Sequence, residues 1–411
     1  MTATMELLAP AGNLEKAEVA IAYGADAIYV GGKEYSLRSG AGNFTLTEIA
    51  DLVGYAHQAN VKVYVAVNSL LHNEGLDGLA EYIAGLAAAD VDAIIFSDPA
   101  VYAISQKVAP KLALHISTQA SLTNWRSVRF WEELGIKRVI LARELSLKEI
   151  AAIRQKVGLE LEAFVHGAMC MAYSGRCLLS NYMTGRDANR GDCAQACRWR
   201  YALMEEKRPG EYYPVFEDEK GSYVLNSRDL NMLAHLPELA TAGLNSLKIE
   251  GRMKSVYYVA TVVRAYRQAL DAYKADPKGY RLRPEWLEEL DKISHRPYTT
   301  GFYFAPPGPE GQSYTSGGYI RSYDFVGIVP KNRGDAGEGR SLVDVRNRIR
   351  QGEILELITP QGLSLTFALD KMWDEADNPV TEAHPNQRIL VELPTRAPCF
   401  SLLRRAIIEA S

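Results

Sequence analysis

The 411-residue sequence contains no run of about 18 uncharged apolar residues, the length that a membrane-crossing helix requires. Its first residues also lack the basic segment, apolar stretch and small-residue cleavage site of a secretory leader. We therefore expect a soluble, cytoplasmic protein that has no membrane partner.

An excess of positive charge is missing too, since the formal net charge is −4 and the pI is about 6.1. Any contact with nucleic acid must then depend on a local basic patch and not on the overall charge. Apolar residues make up 47% of the chain and charged residues 23%, which predicts a globular protein with a large core and two domains.

Cysteine is scarce, with five residues in the chain, yet four share one short segment, at Cys170, Cys177, Cys193 and Cys197. Four soft thiolates in a loop after an apolar strand can bind tetrahedral zinc or an iron–sulfur cluster. The C-x6-C-x15-C-x3-C spacing lacks the close first pair of most zinc sites, so it favours iron–sulfur. Disulfides and buried thiols are the alternatives. We interpret the distant Cys399 as structural.

Short β-branched runs alternate with amphipathic helical patterns over roughly the first 250 residues. A doubly wound sheet would show the same alternation, but no G-x-G-x-x-G fingerprint follows the first run. Eight runs favour an α/β fold of the TIM-like (β/α)8 barrel type. The predicted strands are Glu6–Ala9, Ala27–Val30, Lys62–Val67, Ala93–Phe96, Leu112–Ile116, Arg138–Leu141, Leu161–Val165 and Ser246–Ile249.

Roughly 80 residues separate the seventh and eighth predicted strands, and this interval contains the four clustered cysteines. We predict a cysteine-rich insertion at 167–224 within a barrel domain at 1–304. Loops that follow the strands form the catalytic face of such barrels, so the insertion should lie at the barrel mouth. A linker rich in Pro and Gly at 305–319 and a small C-terminal β-barrel domain at 320–411 complete the prediction.

Polar residues cluster at the predicted strand ends, from which side chains can point into the barrel mouth. Opposite charges close together, as in Arg143-Glu144 and Glu250-Gly251-Arg252, can bind a carboxylate substrate and keep an acid or base nearby. A structural ion-pair network is the alternative. The full set is Asn68, Asp98, His115, Ser117, Gln119, Arg143, Glu144, His166, Lys248, Glu250 and Arg252.

A basic patch interleaves with the cysteines and with Tyr173, Tyr182 and Trp199. Arginines beside aromatic rings are typical of sites for phosphates and unstacked bases, although such arginines also occur on solvated surfaces. Arg176 belongs to this patch, and the RNA contacts are predicted at Arg186, Arg190, Arg198 and Arg200.

Several segments resemble the collagenase-like peptidase family U32: ELLAPAGN at Glu6–Asn13, AIYVGG at Ala27–Gly32, FVHGAMCMAYSGRC at Phe164–Cys177, GDCAQACRW at Gly191–Trp199 and SLKIEGRMKS at Ser246–Ser255. The length and the segment AHPNQ at Ala383–Gln387 are similar to those of members that hydroxylate tRNA. The resemblance implies an iron–sulfur cluster of the 4Fe-4S type on the four clustered cysteines. It also implies hydroxylation of the anticodon wobble uridine of tRNA to 5-hydroxyuridine, with prephenate as the hydroxyl donor.

Prephenate would be a small dicarboxylate co-substrate, and a guanidinium binds a planar carboxylate through two hydrogen bonds. We therefore assign Arg143 and Arg252 as the clamp for its two carboxylates. Glu250 or His166 is expected to transfer protons. Further substrate-binding candidates are Asn68, Gln119 and Lys248.

Two other functions stay open. The family name makes a peptidase the first alternative, although the sequence contains neither H-E-x-x-H nor G-x-S-x-G. A non-catalytic RNA-binding protein whose metal only orders the loop is the second.

Overall fold

The computed structural model describes residues 5–199 without 39 and 171, residues 227–307 and 319–331, and residues 340–407 without 361 and 363. It also gives the backbone of two short antiparallel pairs, Leu203–Met204 with Tyr212–Tyr213 and Glu217–Asp218 with Gly221–Ser222. In these described parts, no helix is both long enough and apolar enough to cross a bilayer.

Eight parallel strands form a closed ring, because the last of them pairs with both the seventh and the first. They are β1 Glu6–Pro10, β2 Ala27–Gly31, β3 Lys62–Val67, β4 Ala93–Phe96, β5 Ala113–Ile116, β6 Arg138–Ile140, β7 Glu160–Ala168 and β8 Ser246–Ile249. The prediction of a (β/α)8 barrel is confirmed. β7 continues beyond its predicted end because the short strand Asp229–Asn231 pairs antiparallel with its last residues.

The helices surround the ring and bury the outer face of its strands. They are α1 Leu14–Ala22, α2 Leu46–Gln58, α3 Leu79–Ala88, α4 Pro99–Val108, α5 Trp125–Glu133, α6 Leu147–Arg154, α7 Leu179–Thr184, α8 Leu236–Thr241, α9 Val256–Ala275 and α10 Pro284–Asp291. Thr45 and Ser146 begin α2 and α6 with complete capping boxes, as their sequences predict. α7 belongs to the insertion, between the cysteines.

Both faces of the barrel strands are covered, so the strands read as nearly continuous apolar runs. β2, β4, β6 and β8 are buried along their whole length. The C-terminal end of the strands is the mouth, and the N-terminal end is the floor.

An ion-pair network closes the floor. Arg138, at the start of β6, is 3% exposed and lies 2.5 Å from Glu6, 2.6 Å from Glu160 and 3.1 Å from Glu162. The hydroxyl of Tyr64 donates to Glu6 at 2.8 Å. We call these five residues the floor network. None of these five residues is among the polar residues predicted at the mouth.

The C-terminal part is an antiparallel sheet that forms a half-barrel. Its strands are β9 Tyr323–Ile328, β10 Arg340–Val345, β11 Ile349–Arg350, β12 Ile354–Ile358, β13 Leu365–Ala368, β14 Met372–Trp373, β15 Pro379–Val380, β16 Glu382–Ala383, β17 Arg388–Glu392 and β18 Leu402–Ala406. Eight of them form the sheet in the order β13-β12-β18-β9-β10-β17-β14-β15, and β11 pairs with β16 beside it. Arg404 joins it to the barrel, since its buried guanidinium lies 2.6 Å from both Glu289 of α10 and Glu356. Residues 308–318 of the predicted linker lie outside the described residues, and the proposed domain limits remain predictions.

Candidate active site at the barrel mouth

A cavity of about 700 Å³ lies between the C-terminal ends of the strands and the cysteine-rich insertion. Its apolar wall includes Tyr29, Ala66, Ile95, Ile140 and Phe164, and its polar wall includes Arg38, Asn68, Ser117, Gln119, Arg143, Lys248, Glu250 and Arg252. Strands β2, β3, β4, β6, β7 and β8 contribute residues, as does the loop after β5. Substrates bind at this end of (β/α)8 barrels, so the cavity is the candidate active site.

Hydrogen bonds hold the insertion over the mouth. Glu144 accepts from the backbone N–H and from the hydroxyl of Ser174, each at 2.7 Å. Arg176 Nε donates to the carbonyl oxygen of Gln119 at 2.7 Å. Two residues predicted at the mouth, Glu144 and Gln119, therefore anchor the insertion to the loops after β6 and β5.

The four clustered cysteines form no disulfide with one another, and all line the cavity. The Asn189 side chain fixes Cys177 by accepting from its N–H at 3.1 Å and donating to its carbonyl at 2.9 Å. Among the described residues, no three His, Cys, Asp or Glu side chains are grouped closely enough to hold one metal ion. The thiols thus share a cavity without converging on one point. Cys399 lies in the C-terminal sheet region, where its thiol donates to the Lys331 carbonyl at 3.1 Å.

Lys248 lies deep in the mouth and is paired. Its Nζ donates to Glu162 Oε1 at 2.9 Å and lies 4.4 Å from the centre of the Tyr29 ring. Burial lowers the pKa of Lys248, although the charge of Glu162 opposes this change. Because Glu162 also contacts Arg138, this lysine connects the cavity to the floor network.

Arg143 follows β6 and is only partly paired. Its Nη1 donates to the Ala168 carbonyl at 2.8 Å, and its guanidinium carbon lies 3.9 Å from the centre of the Phe164 ring. Its other nitrogens make no hydrogen bond to any described residue. Donors that face a cavity from a fixed position are suited to an anionic ligand.

Arg252, in contrast, is engaged within the protein. It is 4% exposed, and its Nη2 donates to Ser36 Oγ at 3.0 Å and to Asn43 Oδ1 at 2.5 Å. A Cβ on Gly31 would lie 2.1 Å from this nitrogen, and a Cβ on Gly12 would lie 2.2 Å from the Arg252 carbonyl oxygen. Both positions require glycine. The segments ELLAPAGN, AIYVGG and SLKIEGRMKS therefore meet at one arginine.

Glu250 and His166 have different surroundings. The Glu250 carboxylate lines the cavity without a hydrogen bond or ion pair to any described residue. The His166 ring is 1% exposed and packs among aromatic rings, those of Tyr258, Tyr266 and Tyr298. Burial lowers the pKa of His166 to about 3, so this ring is neutral at physiological pH. Its backbone carbonyl accepts from the Glu250 N–H at 2.9 Å, and this bond positions Glu250.

Some of the remaining predicted mouth residues line the cavity, and the others support the surrounding structure. Asn68 and Gln119 line the cavity, and the Asn68 amide donates to Gln119 Oε1 at 2.8 Å. The Asn68 Oδ1 accepts from the Leu37 N–H at 3.2 Å, which fixes the loop after β2. Asp98 caps α4. His115 is buried, and burial together with nearby cations lowers its pKa.

Two of the predicted RNA contacts, Arg186 and Arg190, have exposed side chains on the insertion. Arg186 pairs with Asp192 at 2.7 Å, and Arg190 pairs with Glu74 at 3.3 Å, in each case between exposed side chains. The side chain of Arg198 and the whole of Arg200 lie outside the described residues. The insertion also exposes large apolar side chains, namely Tyr173, Leu178, Tyr182, Met183 and Trp199.

The pattern of strand ends gives no sign of Arg38, which lines the cavity from well within the loop after β2. Its only signal in the sequence is the glycine-containing stretch LRSGAG, in which no opposite charge accompanies the arginine. Strand-end reasoning cannot find such a residue, because its position depends on how the loop folds back over the mouth.

The sequence profile of peptidase family U32 matches residues 12–313, and that of the peptidase family U32 C-terminal domain matches residues 321–404. The chain belongs to peptidase family U32. The resemblance seen in the sequence is confirmed, and the Arg252 contacts show why three of its segments occur together.

Several similar proteins are named for the modification of RNA. The tRNA hydroxylation protein P1 of Bacillus subtilis (strain 168) is 44% identical over 406 residues, which cover 98% of this chain and 96% of that protein. The tRNA hydroxylation protein P of Escherichia coli (strain K12) is 39% identical over 422 residues, covering 92% and 90%. The 23S rRNA 5-hydroxycytidine C2501 synthase of the same E. coli strain is 38% identical over 313 residues, covering 75% and 46%.

Proposed function

We propose that this U32 protein hydroxylates the wobble uridine of a tRNA anticodon to 5-hydroxyuridine, with prephenate as the hydroxyl donor. The observation that supports this most is the mouth cavity under the insertion. Cationic side chains, four thiols and a carboxylate that no described residue pairs line this cavity, and the insertion exposes aromatic rings. Relatives named for the hydroxylation of tRNA and rRNA support RNA as the substrate.

The cysteines fit an iron–sulfur cluster by their donor chemistry. A zinc ion gathers four ligands around one point, whereas each iron of a four-iron cluster takes one thiolate. Four thiols that line one cavity can supply one thiolate to each iron of such a cluster. Cys170, Cys177, Cys193 and Cys197 would hold it, and the cluster would supply one-electron transfer close to the substrates.

The side chains of the barrel bind the co-substrate and move the proton. Arg143, held on the Ala168 carbonyl, directs its remaining donors to one prephenate carboxylate. Lys248 adds a buried positive charge beside it. Hydroxylation replaces the C5–H of uracil by C5–OH and oxidises the base by two electrons. The prephenate carbon that gives up its hydroxyl would take these two electrons and end as C–H, and a base must accept the C5 proton. The Glu250 carboxylate, which no described residue pairs, has this role.

The insertion binds the RNA. A wobble base reaches the cavity when it leaves the anticodon stack, and exposed aromatic rings hold such unstacked bases. Tyr173, Tyr182 and Trp199 present rings on the insertion, and Arg186 both lines the cavity and reaches the outer surface. Arg186 exchanges its solvent-exposed contact with Asp192 for a phosphate.

The test is an assay of anaerobically purified protein with unmodified tRNA, with and without prephenate, followed by mass spectrometry of the nucleosides. We expect 5-hydroxyuridine only when prephenate is present, a broad brown absorbance, and loss of product in Glu250→Gln with the cluster retained. A protein with full cluster content that forms no hydroxylated nucleoside would refute the proposal. Cleavage of a peptide substrate by that same preparation would favour the peptidase alternative.

A further inference from the structure

A ligand with two carboxylates needs two cationic groups whose N–H donors are not all used within the protein. Arg143 is one of them, because it uses a single nitrogen within the described protein. Arg252 is the less accessible of the remaining arginines, since it is 4% exposed and one terminal nitrogen binds both Ser36 and Asn43, although its Nε makes no hydrogen bond to a described residue. Lys248 is likewise engaged, by Glu162. The second carboxylate therefore needs another partner.

Arg38 has the properties that Arg252 lacks. It is half-buried and lines the cavity, and its guanidinium makes no hydrogen bond or ion pair to any described residue. Its charge is also close to the centre of the site. Burial first, and then the charge of Arg38, lower the pKa of Arg252 to about 10, although Tyr29 opposes this change. Within the described part of the chain, the mouth thus holds a cation that no carboxylate pairs.

The backbone of Arg38 is fixed in an uncommon conformation. Its φ is +76°, in the left-handed region that residues with a Cβ rarely adopt. The Arg38 carbonyl accepts from the Ala41 N–H at 3.0 Å and from Asn43 Nδ2 at 3.1 Å. Asn43 is the residue that Arg252 binds, and Leu37 is bound by Asn68. Arg252 and Asn68 therefore hold the loop that presents Arg38.

The topology places Arg38 across the mouth from Arg143. Arg38 follows β2 and Arg143 follows β6, and these two strands lie four positions apart in a closed ring of eight. Residues after opposite strands approach a ligand from opposite sides. Two guanidiniums in this arrangement match a small molecule that carries carboxylates at both ends.

We infer that Arg38 binds one carboxylate of the dicarboxylate co-substrate while Arg143 binds the other, and that Arg252 positions the Arg38 loop without touching the ligand. This inference rests on the proposed function and changes its clamp from Arg143 with Arg252 to Arg143 with Arg38.

The experiment measures prephenate binding to full-length protein by calorimetry, without tRNA, and in parallel prephenate-dependent hydroxylation of tRNA. Arg38→Met should weaken prephenate binding by about 10- to 100-fold, the loss typical of a charged hydrogen bond. Arg38→Lys, which keeps the charge but loses the paired donors, should fall between Arg38→Met and the native protein. The matched control is Arg126→Met, which removes an exposed arginine of α5 and should leave binding unchanged.

Hydroxylation assays of these variants distinguish a residue that binds prephenate from one that only supports the fold. Arg38→Met should raise the KM for prephenate far more than it lowers kcat, and its affinity for tRNA should stay at the native value. Native prephenate affinity in Arg38→Met, with hydroxylation intact, would overturn the inference and leave the proposed function standing. Native protein that neither binds prephenate nor needs it would overturn both.

Discussion

The floor and the mouth of the barrel are built from the same kinds of charged residue, yet they differ in how the charges are paired. At the floor, Arg138 contacts three carboxylates and is almost fully buried. At the mouth, Arg38, Arg143 and Glu250 keep hydrogen-bonding groups that no described residue satisfies. Charge composition therefore does not distinguish a scaffold from a binding site, whereas the pairing of each charge does.

Unpaired charges in a partly buried cavity lower stability, because they lose water without gaining a partner. A ligand of opposite charge restores the missing contacts, and its affinity reflects that gain. The floor network offers a ligand no such unsatisfied contacts, since its charged side chains already pair with one another. Substitutions at the mouth should then change function and leave the fold, and substitutions at the floor should do the reverse.

The largest effect should come from the cysteines above the mouth. Replacing any one of Cys170, Cys177, Cys193 or Cys197 by Ser leaves three thiolates, which should hold the cluster poorly and abolish hydroxylation. Iron and sulfide analysis with the nucleoside assay measures this loss. The barrel should remain folded, as judged by circular dichroism. Cys399→Ser is the matched control and should retain its iron, and iron loss equal in all five variants would contradict the assignment.

At the floor, Arg138→Met should decrease the free energy of unfolding by about 3–5 kcal/mol, because it removes the one guanidinium that three carboxylates share and leaves Glu162 with Lys248 alone. Urea denaturation gives the value. Arg143→Met at the mouth is the control and should cost only about 1 kcal/mol, since it removes one hydrogen bond to a carbonyl. Equal losses of stability in the two variants would erase the proposed difference between floor and mouth.

Much of the fold follows from the sequence, because strand alternation, helix caps and the long interval before β8 are local signals. The pairing of the charges is not local. From the sequence alone, Arg252 resembles an unpaired arginine at a strand end. In the structure, the loop after β2 folds onto it and binds its guanidinium, and Arg38 lies within that same loop. The sequence suggests His166 as a proton carrier, and only the structure shows that tyrosine rings surround it. Partners distant in the chain decide these roles, and a single sequence does not reveal them.

A smaller effect is expected when the Arg143 guanidinium is altered. Arg143→Ala should raise the activation free energy at low prephenate by about 1.5–3 kcal/mol, the value of a charged hydrogen bond, and Arg143→Lys should raise it less. The ratio kcat/KM for prephenate measures both. Affinity for tRNA should be unchanged, because Arg143 lies within the cavity and not on the insertion surface. A uniform loss of tRNA binding would assign Arg143 to the RNA.

The floor should also be sensitive to acid. Burial alone would raise the pKa of Glu6, but the hydrogen bonds and charge of Arg138 lower it below the ordinary value of 4.5. A carboxylate with a lowered pKa in the folded state stabilises the protein above its ordinary pKa, and this contribution is lost as the pH falls below it. Unfolding measured between about pH 6 and pH 3 should show a slope that Glu6→Gln reduces. An identical slope in Glu6→Gln would contradict the prediction.

The smallest effect should come from the exposed arginines of the insertion, because solvent already screens their contacts with Asp192 and Glu74. Arg186→Ala and Arg190→Ala should leave stability and cluster content unchanged. If each arginine exchanges its carboxylate for a tRNA phosphate, each substitution should reduce the slope of log affinity against log salt by roughly one unit. Arg126→Ala, at an exposed position that does not line the cavity, should leave the slope at the native value. Equal slopes in all variants would mean that the insertion arginines only face solvent, and RNA recognition would then depend on the exposed rings of Tyr173 and Tyr182.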